Sequence, residues 1–410
     1  MNLSSLNAGG VKRTLLPALA LAVGALSVSS QESWLIRADA VYTASGDAIE
    51  GGAVLTDGAR IAAVGPGVGG GDEEFACAAV TPGLVDLSPR VHTNHLSVEQ
   101  STETPFALDT LEGMDLWSYR FQREAKSGVT SVLLTPADYA VIGGLCGVVK
   151  TAGDTLEERL VKRAAVLRGS LGSQPSAGNV PPRGGPPRNF YARRPTTRMG
   201  VEWTWRKAYY DAKTDAGAQD ADQAQRNEIL RSTLNGNLPV SVQAWTTQDV
   251  RTAVYLKEEF GVQRMFVDAA AEAWREPELL ARSGMAVALP PWNGNGRTGE
   301  NAFLKLGSAA DLHALGIPVA LTGHGEADPA YRLARQPGYA MRGGLPFDAA
   351  LAAVTIVPAR LAGVDDRVGS IAVGKDADLV LWSGTPFEPT SQILAVFVSG
   401  KLIVDNRQSN

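Results

Sequence analysis

Val80-Thr81-Pro82-Gly83-Leu84-Val85-Asp86-Leu87-Ser88-Pro89-Arg90 is the stretch whose reading decides the fold. A Pro-Gly turn leads into an apolar run, which ends on polar groups where a buried parallel strand would emerge. In an α/β barrel the reactive groups sit at the C-terminal ends of the strands. The stretch therefore has the position of a first barrel strand delivering side chains to an active site.

Working outward, further apolar, β-branched runs alternate with helical patterns, as βα units require. The strand candidates are Val129–Thr135, Val141–Lys150, Ala165–Leu171, Pro239–Ala244, Met265–Val267, Ala286–Leu289 and Pro318–Leu321; the helical ones are Leu116–Ser127, Thr247–Phe260, Ala271–Ser283 and Phe347–Thr355. With Leu84–Leu87 the strands number eight, which predicts an α/β fold built on a (β/α)8 TIM-like barrel.

The two ends of the chain have a different rhythm. Trp34 to Val80 reads as short strands with glycine turns, including a hairpin turning at Asp57-Gly58, a strong two-residue turn signal. Gly369–Trp382 and Ile393–Val404 also read as strands and a hairpin. The N-terminal strands are too few to bury both faces alone, so their partners are expected at the C-terminal end.

The 410 residues, 44% hydrophobic and 20% charged, suit a large core, and a barrel with a smaller domain fits that length better than one compact unit. The net charge of -5 gives no support to a polyanion-binding role, so no nucleic-acid partner is expected. A small-molecule ligand and a homo-oligomer both remain open.

At the N-terminus, Lys12-Arg13 precede the apolar segment Leu15 to Leu26, followed by Ser27-Val28-Ser29-Ser30. This order describes a secretory signal over residues 1–30, and about 12 apolar residues are too few for a stable membrane span. The protein is expected to be exported, to the periplasm or the extracellular space. The two cysteines, Cys77 and Cys146, read as small buried hydrophobes rather than a disulfide. Ser173 to Pro195 departs from the βα rhythm, with Arg183, Arg188, Arg193, Arg194, Phe190 and Tyr191 among Gly and Pro. It reads as a solvated loop, with an anion- or aromatic-binding role as the alternative.

Three stretches carry a family resemblance: Thr81–Asp86, Ala349–Leu361, and Val368–Leu381 with its Val-Gly-Ser-Ile-x-Val-Gly-Lys-x-Ala-Asp-Leu-Val pattern. Together they resemble the amidohydrolase superfamily, in its imidazolonepropionase-like branch, over essentially Trp34 to Val404. The resemblance implies a small composite β-sandwich formed by residues 31–80 and 366–410 beside a barrel of residues 81–365. It also implies descent from hydrolases of carbon–nitrogen bonds other than ordinary peptide bonds, with a metal that acidifies water and an Asp that takes its proton.

At the matching positions the residues differ from that pattern. Where the family has x-His-x-His, this chain has Leu87, Ser88, Pro89 and Arg90; a guanidinium has no lone pair to give a metal. Ser173 stands for a Glu, and Gln243 for a His. Lys150 resembles a Lys of the same branch, open to a carbamate or to the commoner role of a solvated strand end. Ala269 stands for a His with Asp268 one position earlier, which in a regular strand faces the opposite side. His324 stands for the general-base Asp and is the candidate catalytic residue, since imidazole accepts a proton near neutral pH.

Ser88, Arg90, Gln243, Asp268 and His324 are thus the candidate ligand-binding set, and no metal cofactor is expected. Zinc or another divalent ion enters only through a relocated site, with His92 and His95 as weak fallback ligands beside His324 and Asp268. Two functions follow: a hydrolase with a degenerate metal site, or a metal-free pseudoenzyme that binds a small ligand or partner in the old pocket.

Overall fold

The computed structural model describes residues 32–89, 97–99, 101–176, 195–292, 299–323 and 332–407. The expected signal, residues 1–30, lies outside them. No helix among the described residues is long and apolar enough to cross a membrane.

The N-terminal strands are β1 (Trp34–Val41), β2 (Ile49–Glu50), β3 (Gly52–Asp57), β4 (Arg60–Pro66) and β5 (Glu73–Pro82). The next eight are β6 (Leu84–Asp86), β7 (Val129–Leu133), β8 (Ile142–Lys150), β9 (Leu160–Ser170), β10 (Val240–Gln243), β11 (Met265–Asp268), β12 (Ala286–Leu289) and β13 (Val319–Leu321). The last three are β14 (Leu379–Trp382), β15 (Ile393–Val398) and β16 (Lys401–Asp405).

The two ends of the chain share one sheet, ordered β16-β15-β14-β5-β1-β3-β4 with β2 on β1. The joint is antiparallel, β14 on β5, with Leu379 opposite Pro82 and Trp382 opposite Ala79. Both expected hairpins are present, β3–β4 and β15–β16. All eight strands belong to this one sheet, packed around Trp34, Ile36, Phe75, Leu379 and Phe397. It leads through Gly83 directly into β6, and a Cβ on Gly83 would lie 2.1 Å from Oγ1 of Thr130. Only glycine admits that approach, which is the physical content of the Pro-Gly step.

The second sheet runs β13-β12-β11-β10-β9-β8-β7-β6. All eight strand candidates are in it. One runs against expectation: β8 is antiparallel to both β7 and β9, so seven strands are parallel and the sheet departs from a strict (β/α)8 pattern. The reason is connection length. A parallel crossover needs a dozen residues or more, and only Leu134 to Val141 separate β7 from β8.

The sheet nearly closes on itself. Its terminal strands do not pair with each other; the Ala353-Val354 backbone lies between them, accepting from Leu321 N at 2.9 Å and from Val85 N at 2.9 Å. Inside, one apolar cluster takes Val85, Leu133, Cys146, Val166, Phe266, Ala288 and Ala320 from seven strands. Cys77 and Cys146 are both free thiols.

The helices cover the outer face. The helix Arg198–Thr214 starts at Thr197, whose side chain accepts from Gly200 N, and buries the stripe Val201, Trp205, Tyr209 and Ala212.

The Gly-Lys-x-Ala-Asp motif joins the two sheets. Lys150 is fully buried and bridges Asp376, at 2.9 Å, and Asp378. Asp376 also pairs with Arg60 at 2.7 Å and Arg367 at 2.9 Å. Asp378 accepts from Thr130 Oγ1 at 3.2 Å and from Ser399 N at 2.8 Å. Burial works against the charge on Asp376, but Lys150, Arg367 and Arg60 hold its carboxyl below the usual range. Lys150 is therefore not a solvated strand end but the counter-ion of this joint.

Candidate functional site

The polar residues of the barrel gather at the C-terminal ends of β9, β10 and β11, around a guanidinium. Arg168 follows the apolar run Ala164–Leu167 in β9 and is 2% exposed. Its Nε donates to Asp138 Oδ1 at 3.0 Å, and its Nη1 to Ser241 Oγ at 2.8 Å and Asp268 Oδ2 at 2.6 Å; Nη2 lies 2.9 Å from Asp138. Strand register explains the grouping. Ser241 is the partner of Arg168, and Gln243 is the partner of both Ser170 and Asp268.

A second ring of contacts fixes Asp138, which sits beyond β7. Ser170 Oγ donates to its Oδ1 at 3.1 Å and Gln243 Nε2 to its Oδ2 at 2.8 Å; the same Nε2 also reaches Gln174 Oε1 at 3.1 Å. Burial alone would push the Arg168 guanidinium toward losing its proton, but Asp138 and Asp268 outweigh it and raise its pKa. The cluster thus holds one fixed positive charge between two carboxylates. Among the described residues, Gln243 Oε1 and Asp268 Oδ1 are buried without a hydrogen-bond partner.

Asp268 lies in this cluster with Gln243, which corrects the alternation argument that placed it on the opposite side. The irregularity falls one residue later: Ala269 has φ 56, a left-handed conformation that costs a residue with a Cβ roughly 1–2 kcal/mol.

Gly169, between Arg168 and Ser170, has its own constraint. A Cβ there would lie 2.1 Å from Trp205 Cζ2 and 2.8 Å from the Val141 carbonyl oxygen. Gly169→Ala is expected to cost roughly 1–3 kcal/mol or more by overpacking. Shortening Trp205 to Leu in the same chain should cost less than the two single changes summed, measured by urea denaturation.

Ser88 is buried at the end of β6, and its backbone N donates to Asp86 Oδ1 at 2.9 Å. Gly323 N donates to Asp86 Oδ2 at 3.0 Å across the barrel seam. Burial pushes the Asp86 carboxyl up to about 8, with Glu124 and Asp268 adding to the rise and the two backbone donors opposing it. Burial likewise lifts Glu124 to about 7.

This carries a pH dependence. Unfolded, Asp86 ionises near 3.8; folded, it keeps its proton to about 8. The Asp86 contribution should be flat below that interval, fall by about 1.4 kcal/mol per pH unit within it, and level off above. Asp86→Asn should lower stability at pH 5, because an amide nitrogen cannot accept from a backbone N–H, yet flatten the decline between pH 5 and 8. Denaturant midpoints at the two pH values check this; the Glu124 share, from 4.5 to about 7, should remain.

Of the expected site residues, the structure brings Gln243 and Asp268 together and places Ser88 just after β6, at one edge of the same sheet. Arg90, His92, His95 and His324 lie outside the described residues, as does the loop from 177 to 194. Arg168, Asp138, Ser170 and Ser241 escaped sequence reasoning. The charged residue inside the apolar run Ala165-Val166-Leu167-Arg168 was a usable signal, since buried arginines are kept only where they are paired; Asp138 stands in a loop and gave none.

The described strand ends do not fit a divalent metal. Ser88 and Gln243 are neutral, Asp138 and Asp268 already serve a guanidinium, and no group of three His, Cys, Asp or Glu side chains occurs among the described residues.

The profile of the Amidohydrolase family matches residues 325–403. The chain is 26% identical over 365 residues to Amidohydrolase tasK of Hapsidospora irregularis, covering 80% of this chain and 36% of that protein. It thus spans about a third of the length of that curated relative. The structure resembles an amidohydrolase from Thermotoga maritima MSB8 with TM-score 0.78 and 25% identity, over 91% of this chain and 100% of that one. It shares its fold with an adenosine deaminase from Xanthomonas campestris with bound zinc, at TM-score 0.51 and 16% identity, over 92% of this chain and 93% of that one. The matched C-terminal segment and a fold likeness spanning nearly the whole chain make this chain similar to amidohydrolases.

Proposed function

We propose that this is an exported amidohydrolase-superfamily protein, by descent a hydrolase of carbon–nitrogen bonds other than peptide bonds, whose metal site has degenerated. In this reading its barrel mouth binds a small polar ligand without metal. The observation that carries it is Arg168, a permanent cation held by Asp138 and Asp268 at the strand ends where a barrel hydrolase keeps its reactive groups. Its charge opposes a divalent ion, and it already engages Oδ1 of Asp138 and Oδ2 of Asp268. The two acceptors left over, Gln243 Oε1 and Asp268 Oδ1, favour a ligand that presents N–H groups, such as an amide, amine or amidine. Substituted imidazolonepropionase-like positions, notably Gln243 for a His, fit the same reading. Export rests on Lys12-Arg13 and the apolar Leu15 to Leu26.

A second reading keeps the hydrolase, with one relocated metal held by His92, His95, His324 and Asp268. It is favoured by the unpartnered Oδ1 of Asp268 and by the family match over residues 325–403. Elemental analysis of the purified protein, with assays on amides, hydantoins and lactams, separates the two. Substoichiometric zinc and manganese with no turnover, alongside saturable binding of an N–H-bearing ligand, is the expected result. Stoichiometric metal that disappears in His92 or His324 variants would establish the hydrolase instead.

A further inference from the structure

A groove of about 950 Å³ runs along the seam between the barrel and the composite sheet, away from the cluster around Arg168. Four cations line it, Lys126, Arg332, Arg335 and Arg342, against one carboxylate, Glu388. Some surface cations are held by carboxylates, as Arg206 is by Glu202 and Glu259. Here none of the four has a carboxylate within ion-pair distance among the described residues. Arg332 feels the charge of Glu124, yet its Nε is buried with no hydrogen-bond partner, and so is Oγ of Ser391, another lining residue. Two of the orphaned polar atoms among the described residues thus belong to residues that line this groove, and both can donate.

Buried donors without acceptors cost free energy that a bound acceptor would recover. Unpaired guanidinium groups are planar forks whose geometry matches a carboxylate. The remaining walls are aromatic and apolar: Tyr339, Trp382, Phe387 and Ile393, with the Trp382 and Phe387 rings 5.3 Å apart edge to face. Such walls take a flat ring, and the volume is in the range of small-molecule sites.

We propose that this groove is a second binding site, separate from the barrel mouth, for a small carboxylic acid with an aromatic body. The anion lies among Arg332, Arg335, Arg342 and the Ser391 hydroxyl, and the ring lies toward Trp382 and Phe387.

Calorimetric titration of the full chain tests it, with 3-phenylpropionate, its neutral amide and phenyl phosphate as probes. Saturable one-to-one binding of 3-phenylpropionate, weakening with added salt, is expected, with the amide at least about tenfold weaker. The double variant Arg335→Gln/Arg342→Gln changes two exposed side chains and should melt like the parent. It should lose roughly tenfold or more of the affinity. Absence of saturation, equal affinity for the amide, or undiminished binding by the double variant would each overturn the proposal. Tighter binding of phenyl phosphate than of the carboxylate would overturn the ligand class.

Discussion

Arg168→Met should destabilise the folded chain by about 3–5 kcal/mol, the cost of leaving buried carboxylates without their counter-ion. Methionine fills much of the same volume, so the effect isolates charge from packing. Asp138 would retain Ser170 and Gln243 as donors, while Asp268, whose Oδ2 loses Nη1 of Arg168, would have no donor among the described residues. Arg168→Lys should recover only part of the loss, because an ammonium cannot reproduce the fork that spans Asp138, Ser241 and Asp268. Adding Asp138→Asn and Asp268→Asn to Arg168→Met should restore much of the stability, since removing all charges is far cheaper than stranding two. Guanidinium denaturation of the four proteins measures this. A loss below about 1 kcal/mol in Arg168→Met would mean that the cluster is hydrated and that the charge argument fails.

Lys150→Met is expected to be comparably severe, about 3–5 kcal/mol, through a different joint. Asp376 would keep Arg60 and Arg367, but Asp378 would keep only hydroxyl and backbone donors for a buried charge. The cost therefore falls on Asp378, and Lys150→Met/Asp378→Asn should be more stable than Lys150→Met alone. Because the joint ties β8 of the barrel to the segment entering β14, limited proteolysis should cut the C-terminal strands of Lys150→Met earlier than those of the parent. Equal stability of the single and double variants would show that Asp376, not Asp378, holds the joint.

These two clusters also mark where the sequence could and could not be read. The strands of both sheets were visible as apolar or alternating runs, and Asp57-Gly58 announced its hairpin. The direction of β8 was not visible from composition, because a buried antiparallel strand reads as the same apolar run as a parallel one. The eight residues from Leu134 to Val141 did hold the clue, being too few for a parallel crossover. Lys150 was legible as a strand-end lysine, whereas its carboxylate partners are 226 and 228 residues away and no local pattern links them. In the candidate site, Gln243 and Asp268 were found because they occupy strand ends. Arg168 and Asp138 were not, because their roles come from a contact between a strand residue and a distant loop.

The Ala353-Val354 backbone that accepts from both Val85 and Leu321 makes the barrel wall a sheet with a zip rather than an endless ladder. Each edge is bonded to its own carbonyl of one two-residue segment, so a displacement of that segment reaches both. A push on the helix that follows, Ile356–Ala362, acts on both at once. The carboxyl of Asp86, which accepts from Gly323 N, adds a side-chain clasp across the same line.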